Sequence, residues 1–439
     1  MGSQAVGGTR VRRGGFFCAL VVGIAACVFV SGSTAAPLTA SKKPVTFTMK
    51  ELSAALDYVG VKAPAAANPK LSTISIGWVS DQTTLTGVGH TGNNAGAQTA
   101  ALLLNQKLGG IKGHPVKLVT CFIKQSDADG ATCAQNMLNN SAVHLIVTGE
   151  LLTGEASFIN TIAGKKPLLG VFTNGPGLTA TNAFYVNPGI RGQVAAVPYM
   201  AKTMGAKNVA ILGPDLPGVA TALGTFTKLF GSLGVTSKIS LYPADATDLT
   251  APIAASGLSS ADAAFVVSST TSACIALSRA FTQLAVKTPI VSLPVCLGPD
   301  VKKALGDYPK WIYDFTSLNP LATHGKFSDT TSFVAAMTKY SQANLMTSGY
   351  APLTFGAVLT AAKWINTAGV ANYNETTMAA AAKAFTGPMF MGDPNIQFGN
   401  PPYPNVGATR ANFYTYNGGG KFTTNVRWLC APIPGCVQH

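Results

Sequence analysis

The sequence predicts an α/β protein of two Rossmann-like lobes with parallel sheets. The main observation is a short, apolar, β-branched run at 74–79, which is too short for a helix and is followed by a polar loop, as expected of a buried strand. Beyond that loop, apolar residues recur at helical spacing as far as Gly109 and Gly110, a typical helix stop. The same alternation recurs along the chain, and roughly 400 residues favour two domains over one.

Two series of such runs predict the order of the strands. The first series predicts strands near Ile74, Val116, Leu145, Leu168 and Phe184, and the second predicts strands near Val209, Val235, Ala264, Ile290 and Trp311. A helix is predicted at about 355–368, with short strands near Ile396 and Phe413. Parallel strands joined by right-handed helical crossovers are the expected arrangement. Because both series carry Ser, Thr and Gly after their strands, we expect two lobes that face each other across a cleft.

The amino terminus has the pattern of an export signal over residues 1–36, with three arginines, an apolar run at 16–30 and then small residues. Two cleavage sites compete. A lipobox-like sequence ends at Cys27, which would then carry a lipid, whereas the small residues at 33–35 fit ordinary secretion. The protein is therefore expected outside the cytoplasm, either free or anchored through Cys27.

The segment that follows the export signal, 37–70, is rich in Ala, Lys and Pro. We interpret it as a tether or an added arm, with a short helix near 49–56. No later apolar run reaches the roughly 18 residues that a membrane-spanning helix needs.

Six cysteines follow the predicted export signal and fall into pairs that are close in sequence. The pairs are Cys121 with Cys133, Cys274 with Cys296, and Cys430 with Cys436. Because exported proteins commonly form disulfides, we predict these three bridges, although six cysteines allow about 15 connectivities. A metal site is disfavoured, since the chain has no C-x-x-C and its histidines are scattered.

The chain is basic, with a formal net charge of +14 that falls to +11 when the three arginines of the export signal are removed. A basic balance is typical of proteins that bind nucleic acids or membranes. Here the lysines and arginines are dispersed and charged residues make up only 11% of the chain. The pattern favours a cationic surface without a nucleic-acid partner.

The loop after the first strand is the first place to seek a ligand, because open parallel sheets bind ligands past the carboxyl ends of their strands. It contains a formal G-x-G-x-x-G at 87–92. A dinucleotide site is disfavoured, because seven residues separate the strand from Gly87 and Lys112 stands where an acidic ribose ligand should be. The threonines of this loop, among them Thr84 and Thr86, would either bind a carboxylate or other polar group or cap the next helix.

Several motifs occur in a specific order. The chain has Asn105 followed by Gly-Gly-Ile-Lys-Gly at 109–113, then VTGELLT at 147–153, FTN at 172–174, VAIL at 209–212, Tyr350 before a long helix, and YNGGGKF at 416–422. Together they resemble the branched-chain amino-acid type of periplasmic binding proteins (type I), the substrate receptors of ABC importers. The similarity extends over about 71–425.

The resemblance implies two lobes between which the chain crosses three times. Lobe 1 would comprise 71–190 and 319–398, and lobe 2 would comprise 191–318 and 399–439. A small ligand would bind between the lobes, which close by a hinge, and an ABC permease in the membrane would be the partner. The resemblance implies a monomeric receptor without a cofactor, a metal or enzymatic activity.

Carried over position by position, the resemblance assigns ligand contacts to loops at strand ends. Lobe 1 would supply Thr84, Thr86, His90, Thr91, Leu152, Thr153, Phe172, Thr173 and Asn174, and lobe 2 would supply Asp215, Leu216, Ser269 and Thr270. In the family, the equivalents of Thr153 and Asn174 are hydroxyls that, with backbone N–H groups, hold the ligand carboxylate. The resemblance therefore implies that lobe 1 binds an anionic or strongly polar end of the ligand.

Lobe 2 departs from the family pattern. Leu216 and Pro217 stand where amino-acid binders have an aromatic residue, and Val295 stands where an acidic residue would hold the ligand ammonium. A desolvated ammonium without an acceptor is costly, which disfavours a simple α-amino acid unless Asp215 replaces that acid. Asp215 is equally placed to cap the following helix.

Two other functional classes are alternatives to the substrate receptor. An exported hydrolase is disfavoured, because the chain has neither G-x-S-x-G nor H-E-x-x-H. An extracellular sensor that signals to a partner protein would use the same two-lobed fold, and the sequence does not separate sensing from import.

Overall fold

The structure is a computed structural model of the chain. It describes residues 45–81, 90–124, 126–151, 153–173, 175–187, 189, 193–216, 219–268, 270–400, 403–432 and 436. All of these belong to one compact unit, Ser41–His439. The predicted export signal with Cys27 lies outside the described residues, as do Thr84 and Thr86.

The strands of the described part of the chain form two sheets. They are β1 (Ile74–Asp81), β2 (Val116–Ile123), β3 (Val143–Thr148), β4 (Leu168–Gly170), β5 (Ala183–Tyr185), β6 (Asn208–Pro214), β7 (Thr236–Tyr242), β8 (Ala263–Val266), β9 (Ile290–Ser292), β10 (Ile312–Phe315), β11 (Arg410–Gly418) and β12 (Lys421–Cys430). The first sheet has the order β2-β1-β3-β4-β5, and the second has the order β12-β11-β10-β9-β8-β6-β7. The predicted α/β class with mainly parallel sheets is confirmed.

Helices connect these strands. The α-helices of four or more residues in the described ranges are α1 (Met49–Val59), α2 (His90–Lys107), α3 (Asp127–Asn139), α4 (Glu155–Ile162), α5 (Val219–Ser232), α6 (Thr250–Ala255), α7 (Thr271–Gln283), α8 (Pro299–Leu305), α9 (Pro320–Thr323), α10 (Ser328–Lys339), α11 (Ala351–Ala368) and α12 (Glu375–Lys383). Further helical turns, of the 3₁₀ type, include Pro294–Leu297 after β9. None of the helices in the described ranges is long and apolar enough to cross a membrane.

The strand order defines where each sheet is expected to bind a ligand. In the first sheet, β1 leads to β2 on one side while β3 pairs with its other side, and all strands are parallel. In the second sheet, β6 has the same relation to β7 and β8, and β11 runs antiparallel to β10 and β12. Ligands of open α/β sheets bind past the carboxyl ends of the strands at such switch points. The candidate site therefore lies past β1 and β3 and past β6 and β8.

The two sheets have separate cores to which interleaved parts of the chain contribute. Buried side chains of 52–186 and most of those of 318–408 pack around the first sheet, which we call the first lobe. Those of 194–316 and 411–431 pack around the second sheet, the second lobe. The last crossing lies later than the predicted 398, because Val406 and Ala408 still pack in the first lobe.

Residues 45–59 are integral to the first lobe, so this part of the chain does not form a free tether. Helix α1 begins with a Thr48 capping box and buries Leu52 and Leu56 in the first core. Lys339 Nζ on α10 lies 2.7 Å from Glu51 Oε2, and Tyr58 and Thr360 share a 2.7 Å hydrogen bond. The segment preceding 45 lies outside the described residues.

The predicted strand near Ile396 is wrong. Ile396 is fully buried in the first core, but its segment has no strand geometry. Gln397 N donates to Gly407 O at 3.1 Å, which joins two irregular segments without forming a ladder. Val406 itself bridges to Tyr185 of β5. An apolar run therefore marks burial here rather than pairing in a sheet.

Two glycines allow α2 to pack closely against α11. A Cβ on Gly92 would overlap the carbonyl oxygen of Ser348, and a Cβ on Gly96 would overlap that of Ala351. Gly92, the last glycine of the formal G-x-G-x-x-G, therefore serves helix packing. This contact fixes the start of α2, which follows the loop after β1.

All three predicted disulfides are confirmed. The Cys121–Cys133 bridge joins β2 to α3, Cys274–Cys296 joins α7 to the turn after β9, and Cys430–Cys436 lies at the end of β12. The second bridge holds two elements that follow neighbouring strands β8 and β9, so it braces the second lobe beside the candidate site.

Candidate functional site

The switch point of the first sheet carries two acidic residues. Asp81 is the last residue of β1, and Glu150 follows β3 by two residues. Asp81 N donates to Glu150 O at 3.0 Å, so the two segments are still paired there. Because side chains alternate along extended chain, Asp81 lies on the same face as Val79, and Glu150 on the same face as Thr148. The two carboxyl groups are close enough to interact electrostatically.

Burial makes the electrostatics of this pair unusual. Glu150 is 4% exposed and Asp81 is 1% exposed. Burial first, and the neighbouring Asp81 second, raise the pKa of Glu150 to about 8. Its Oε2 atom has no hydrogen-bond partner among the described residues. At neutral pH the Glu150 carboxyl is therefore mainly protonated when no cation lies beside it.

The loop after β3 brings Thr153 to the same place. Thr153 N donates to Asp81 Oδ2 at 3.0 Å, while the buried Thr153 Oγ1 has no partner in the described part of the chain. Gly154 adopts φ 66°, where a side chain would be strained, and α4 begins directly after it. The predicted site residue Thr153 thus reaches the switch point, with its backbone donor used by Asp81.

An aromatic pair lies beside this loop. The rings of Phe172 and Tyr350 stack with centroids 5.4 Å apart and planes 27° apart. Tyr350 N donates to Asn93 Oδ1 at 2.8 Å, which ties the pair to the first turn of α2. The neighbouring Thr347 Oγ1 donates to Leu297 O of the second lobe at 3.4 Å. The segment 347–350 therefore lies where the two lobes meet.

Thr173, another predicted contact, has its hydroxyl engaged within the protein. Thr173 Oγ1 donates to Glu155 Oε1 at 2.5 Å in the first turn of α4. Thr173 is itself buried. The side chain connects the end of β4 to α4 and leaves little capacity for a ligand.

The second lobe contributes Asp215 and Leu216 after β6. Both are exposed, and Asp215 N donates to Tyr242 O at 2.7 Å. They line an open depression of about 620 Å³ with Leu241, Tyr242, Pro243, Ala244 and Asp245. The two residues that precede α5, 217 and 218, lie outside the described residues, so the alternative role of Asp215 as a helix cap stays a prediction.

Thr270, a predicted ligand contact, caps a helix. Its Oγ1 accepts a hydrogen bond from Ala273 N at 3.0 Å at the start of α7. Ser268 Oγ donates to Thr270 O at 3.1 Å, which stabilises the same turn. The partly buried Val295 lies in the turn after β9 and offers no acceptor there.

The remaining predicted contacts have less structural support. Thr91 is exposed in the first turn of α2. The side chain of His90 lies outside the described parts, as do residues Leu152, Asn174 and Ser269. Sequence reasoning missed Asp81 and Glu150, although an acidic residue directly after each of two buried strands was the available signal. Among the described residues, no group of three His, Cys, Asp or Glu side chains could hold a metal ion.

Comparison with known proteins settles the family. The profile of the periplasmic binding protein family matches residues 73–406. The chain belongs to the periplasmic binding protein family. Members of this family are substrate-binding proteins and not enzymes, and the family implies an extracytoplasmic location. No curated protein matches the chain.

Solved structures of periplasmic binding proteins share the fold. A leucine-binding protein from Thermotoga maritima superposes with a TM-score of 0.65 at 17% identity, covering 81% of this chain and 98% of the other. A branched-chain amino-acid binding protein from Streptococcus pneumoniae in complex with isoleucine gives 0.65 at 19% identity, covering 81% and 100%. A solute-binding protein from R. palustris in complex with 4-hydroxybenzoate gives 0.65 at 17% identity, covering 81% and 96%. At these identities the likeness concerns the fold.

Proposed function

We propose that the protein is the extracytoplasmic substrate-binding protein of an ABC importer. Its ligand is a small polar molecule held between the two lobes, and its partner is a membrane permease. The observation that carries the proposal is the cluster of buried polar atoms without partners, Thr153 Oγ1 and Glu150 Oε2, at the switch point of the first sheet. Buried polar groups are nearly always hydrogen-bonded, so these two atoms are expected to form hydrogen bonds with a bound ligand.

The proposed ligand is of amino-acid size. Structures with this fold hold isoleucine or 4-hydroxybenzoate, each a small molecule with a carboxylate. The stacked rings of Phe172 and Tyr350 would favour binding of an apolar or planar part of the ligand, next to the polar atoms of Thr153 and Glu150. The exposed Leu216 of the second lobe would contact the other end. Export by the signal at 1–36, with or without a lipid on Cys27, belongs to the same proposal.

Thr153→Ala should weaken ligand binding by roughly ten- to a hundredfold. A hydrogen bond to a charged group contributes about 1.5 to 3 kcal/mol, and each 1.4 kcal/mol or so corresponds to a factor of ten in Kd. The fold should be unaffected, because Thr153 Oγ1 bonds to none of the described residues. The ligand is first found by thermal shift with a panel of amino acids, aromatic acids and amines, and then titrated by calorimetry.

The matched control for this substitution is Thr132→Ala. Thr132 is an exposed threonine on α3 whose Oγ1 donates to Ala128 O. It should bind the ligand as the wild type does. Equal affinity of the wild type and Thr153→Ala would show that the site lies elsewhere.

A further inference from the structure

The region of the first lobe that contains Glu150 and Thr153, which we call the polar wall, is acidic. Asp81 ends β1 and Glu150 follows β3, at the point where ligands of open α/β sheets bind. Both are nearly fully buried, and Glu150 has no ion-pair partner in the part of the chain that the structure describes. An anionic ligand group at this wall would have to approach two carboxyl groups.

The backbone donor of Thr153 is already used within the protein. Thr153 N donates to Asp81 Oδ2 at 3.0 Å, so a carboxylate of the protein itself occupies the position of an anionic ligand group. What the wall still offers are acceptors. Glu150 Oε2 and Thr153 Oγ1 are buried and have no partner among the described residues, and each accepts hydrogen bonds.

Hydrogen-bond acceptors next to two carboxyl groups favour the binding of a hydrogen-bond donor that carries positive charge. An ammonium group has three N–H donors and no acceptor. A cation within about 4–6 Å favours the ionised form of a carboxyl, and the ionised pair would hold that cation strongly in this buried setting. A bare metal ion fits less well, since no third acidic, His or Cys side chain joins the pair among the described residues and hard cations take six or more oxygen ligands.

We propose that Asp81 and Glu150 form the acceptor for a cationic nitrogen of the ligand, with Thr153 Oγ1 accepting a further hydrogen bond from it. The ligand class is then a small organic ammonium compound, an amine or an amino acid. This inference rests on the proposed function. It assigns the cationic end of the ligand to the first lobe, where the family resemblance implies an anionic or strongly polar end. It also supplies the ammonium acceptor that Val295 does not provide in the second lobe.

The test compares matched pairs of compounds that differ in the ammonium group. The pairs are L-leucine with 2-hydroxy-4-methylpentanoate, 4-(aminomethyl)benzoate with 4-(hydroxymethyl)benzoate, and benzylamine with benzyl alcohol. Each is titrated by calorimetry into the mature full-length chain after unfolding, dialysis and refolding to remove any retained compound. The compound retained before this step is identified by mass spectrometry. We expect the ammonium member of at least one pair to bind tenfold or more tightly than its hydroxyl partner.

Variants then locate the acceptor. Glu150→Gln and Asp81→Asn keep the shape and a hydrogen-bond acceptor, so each should fold, which thermal melts check. Each should reduce the preference for the ammonium compound by tenfold or more. Asp314→Asn replaces another fully buried acid, inside the second sheet, and should retain the full preference.

Distinct outcomes contradict the inference and the proposed function. Tighter or equal binding of the hydroxyl compounds, or full preference in both variants, would overturn the ammonium site while leaving a receptor. Loss of the preference in Asp215→Asn alone would move the acceptor to the second lobe and equally overturn the inference. If the wild type retains no small molecule and binds no compound of the three pairs, the proposed receptor function fails, and the inference fails with it.

Discussion

Glu150→Gln should stabilise the protein at pH 8 by up to about 4 kcal/mol and have little effect at pH 5. The pKa of Glu150 is about 8 in the folded state, against an ordinary value of 4.5, because of burial and the neighbouring Asp81. Between these values the folded protein holds a proton that the unfolded chain has released. The free energy of unfolding therefore falls as pH rises from about 4.5 to 8, and it is unaffected by this group at lower pH.

Urea unfolding of both proteins at several pH values, in the absence of ligand, measures this effect. Other buried acids whose pKa is raised, such as Asp314 and Asp329, are present in both proteins and cancel in the difference. A difference that is constant with pH would show that Glu150 is ionised and compensated in the folded state.

Glu51→Gln provides a comparison of opposite sign. Burial opposes the shift, but hydrogen bonds from Lys339 and Thr48 hold the pKa of Glu51 below its ordinary value. Its stabilising contribution is present above the ordinary pKa and is lost as pH falls through the lowered one. Glu51→Gln should therefore destabilise the protein at neutral pH, with the loss disappearing in acid.

Gly96→Ala should lower the free energy of unfolding by roughly 3 kcal/mol. The added Cβ would overlap the backbone oxygen of Ala351 and the hydroxyl of Thr354 on α11. Backbone atoms in two packed helices cannot move aside independently, so α2 and α11 would have to separate. Because this contact fixes the start of α2 beside Tyr350, we also expect weaker ligand binding.

Gly224→Ala on α5 is the matched control. A Cβ at Gly224 would meet no atom in contact distance, and alanine favours a helix over glycine by about 1 kcal/mol. This substitution should leave the protein as stable as the wild type or slightly more stable. Denaturant unfolding followed by circular dichroism measures both variants, and equal effects would show that α2 and α11 can separate without loss of stability.

The strand positions were predictable because buried parallel strands are short, apolar and β-branched on both faces. The same pattern gave a wrong strand prediction near Ile396, where an apolar run is buried without pairing in a sheet. The burial of α1 in the first core was missed, since its partners on α10 and α11 lie nearly 300 residues away in sequence, as for Lys339 and Glu51. Disulfides were predictable because each pair is local in sequence.

The burial and close approach of the two acidic residues at the candidate site were not predictable from local sequence. Asp81 and Glu150 follow strands, where charged residues ordinarily face water. Their burial depends on the loop at Thr153, which bonds to Asp81 from 72 residues away. The family pattern assigned Thr153 a role but carried no information on a protein carboxylate that takes its backbone donor. Only the folded arrangement brings these groups together.

Closure of the two lobes around a small ligand is measurable by small-angle X-ray scattering. The mature chain is measured after removal of retained compounds and again when saturated with the best ligand of the calorimetric panel. We expect a smaller radius of gyration with ligand, because the lobes rotate together about the crossing segments. An unchanged radius of gyration at saturation, confirmed by calorimetry on the same sample, would contradict a receptor that closes on its ligand.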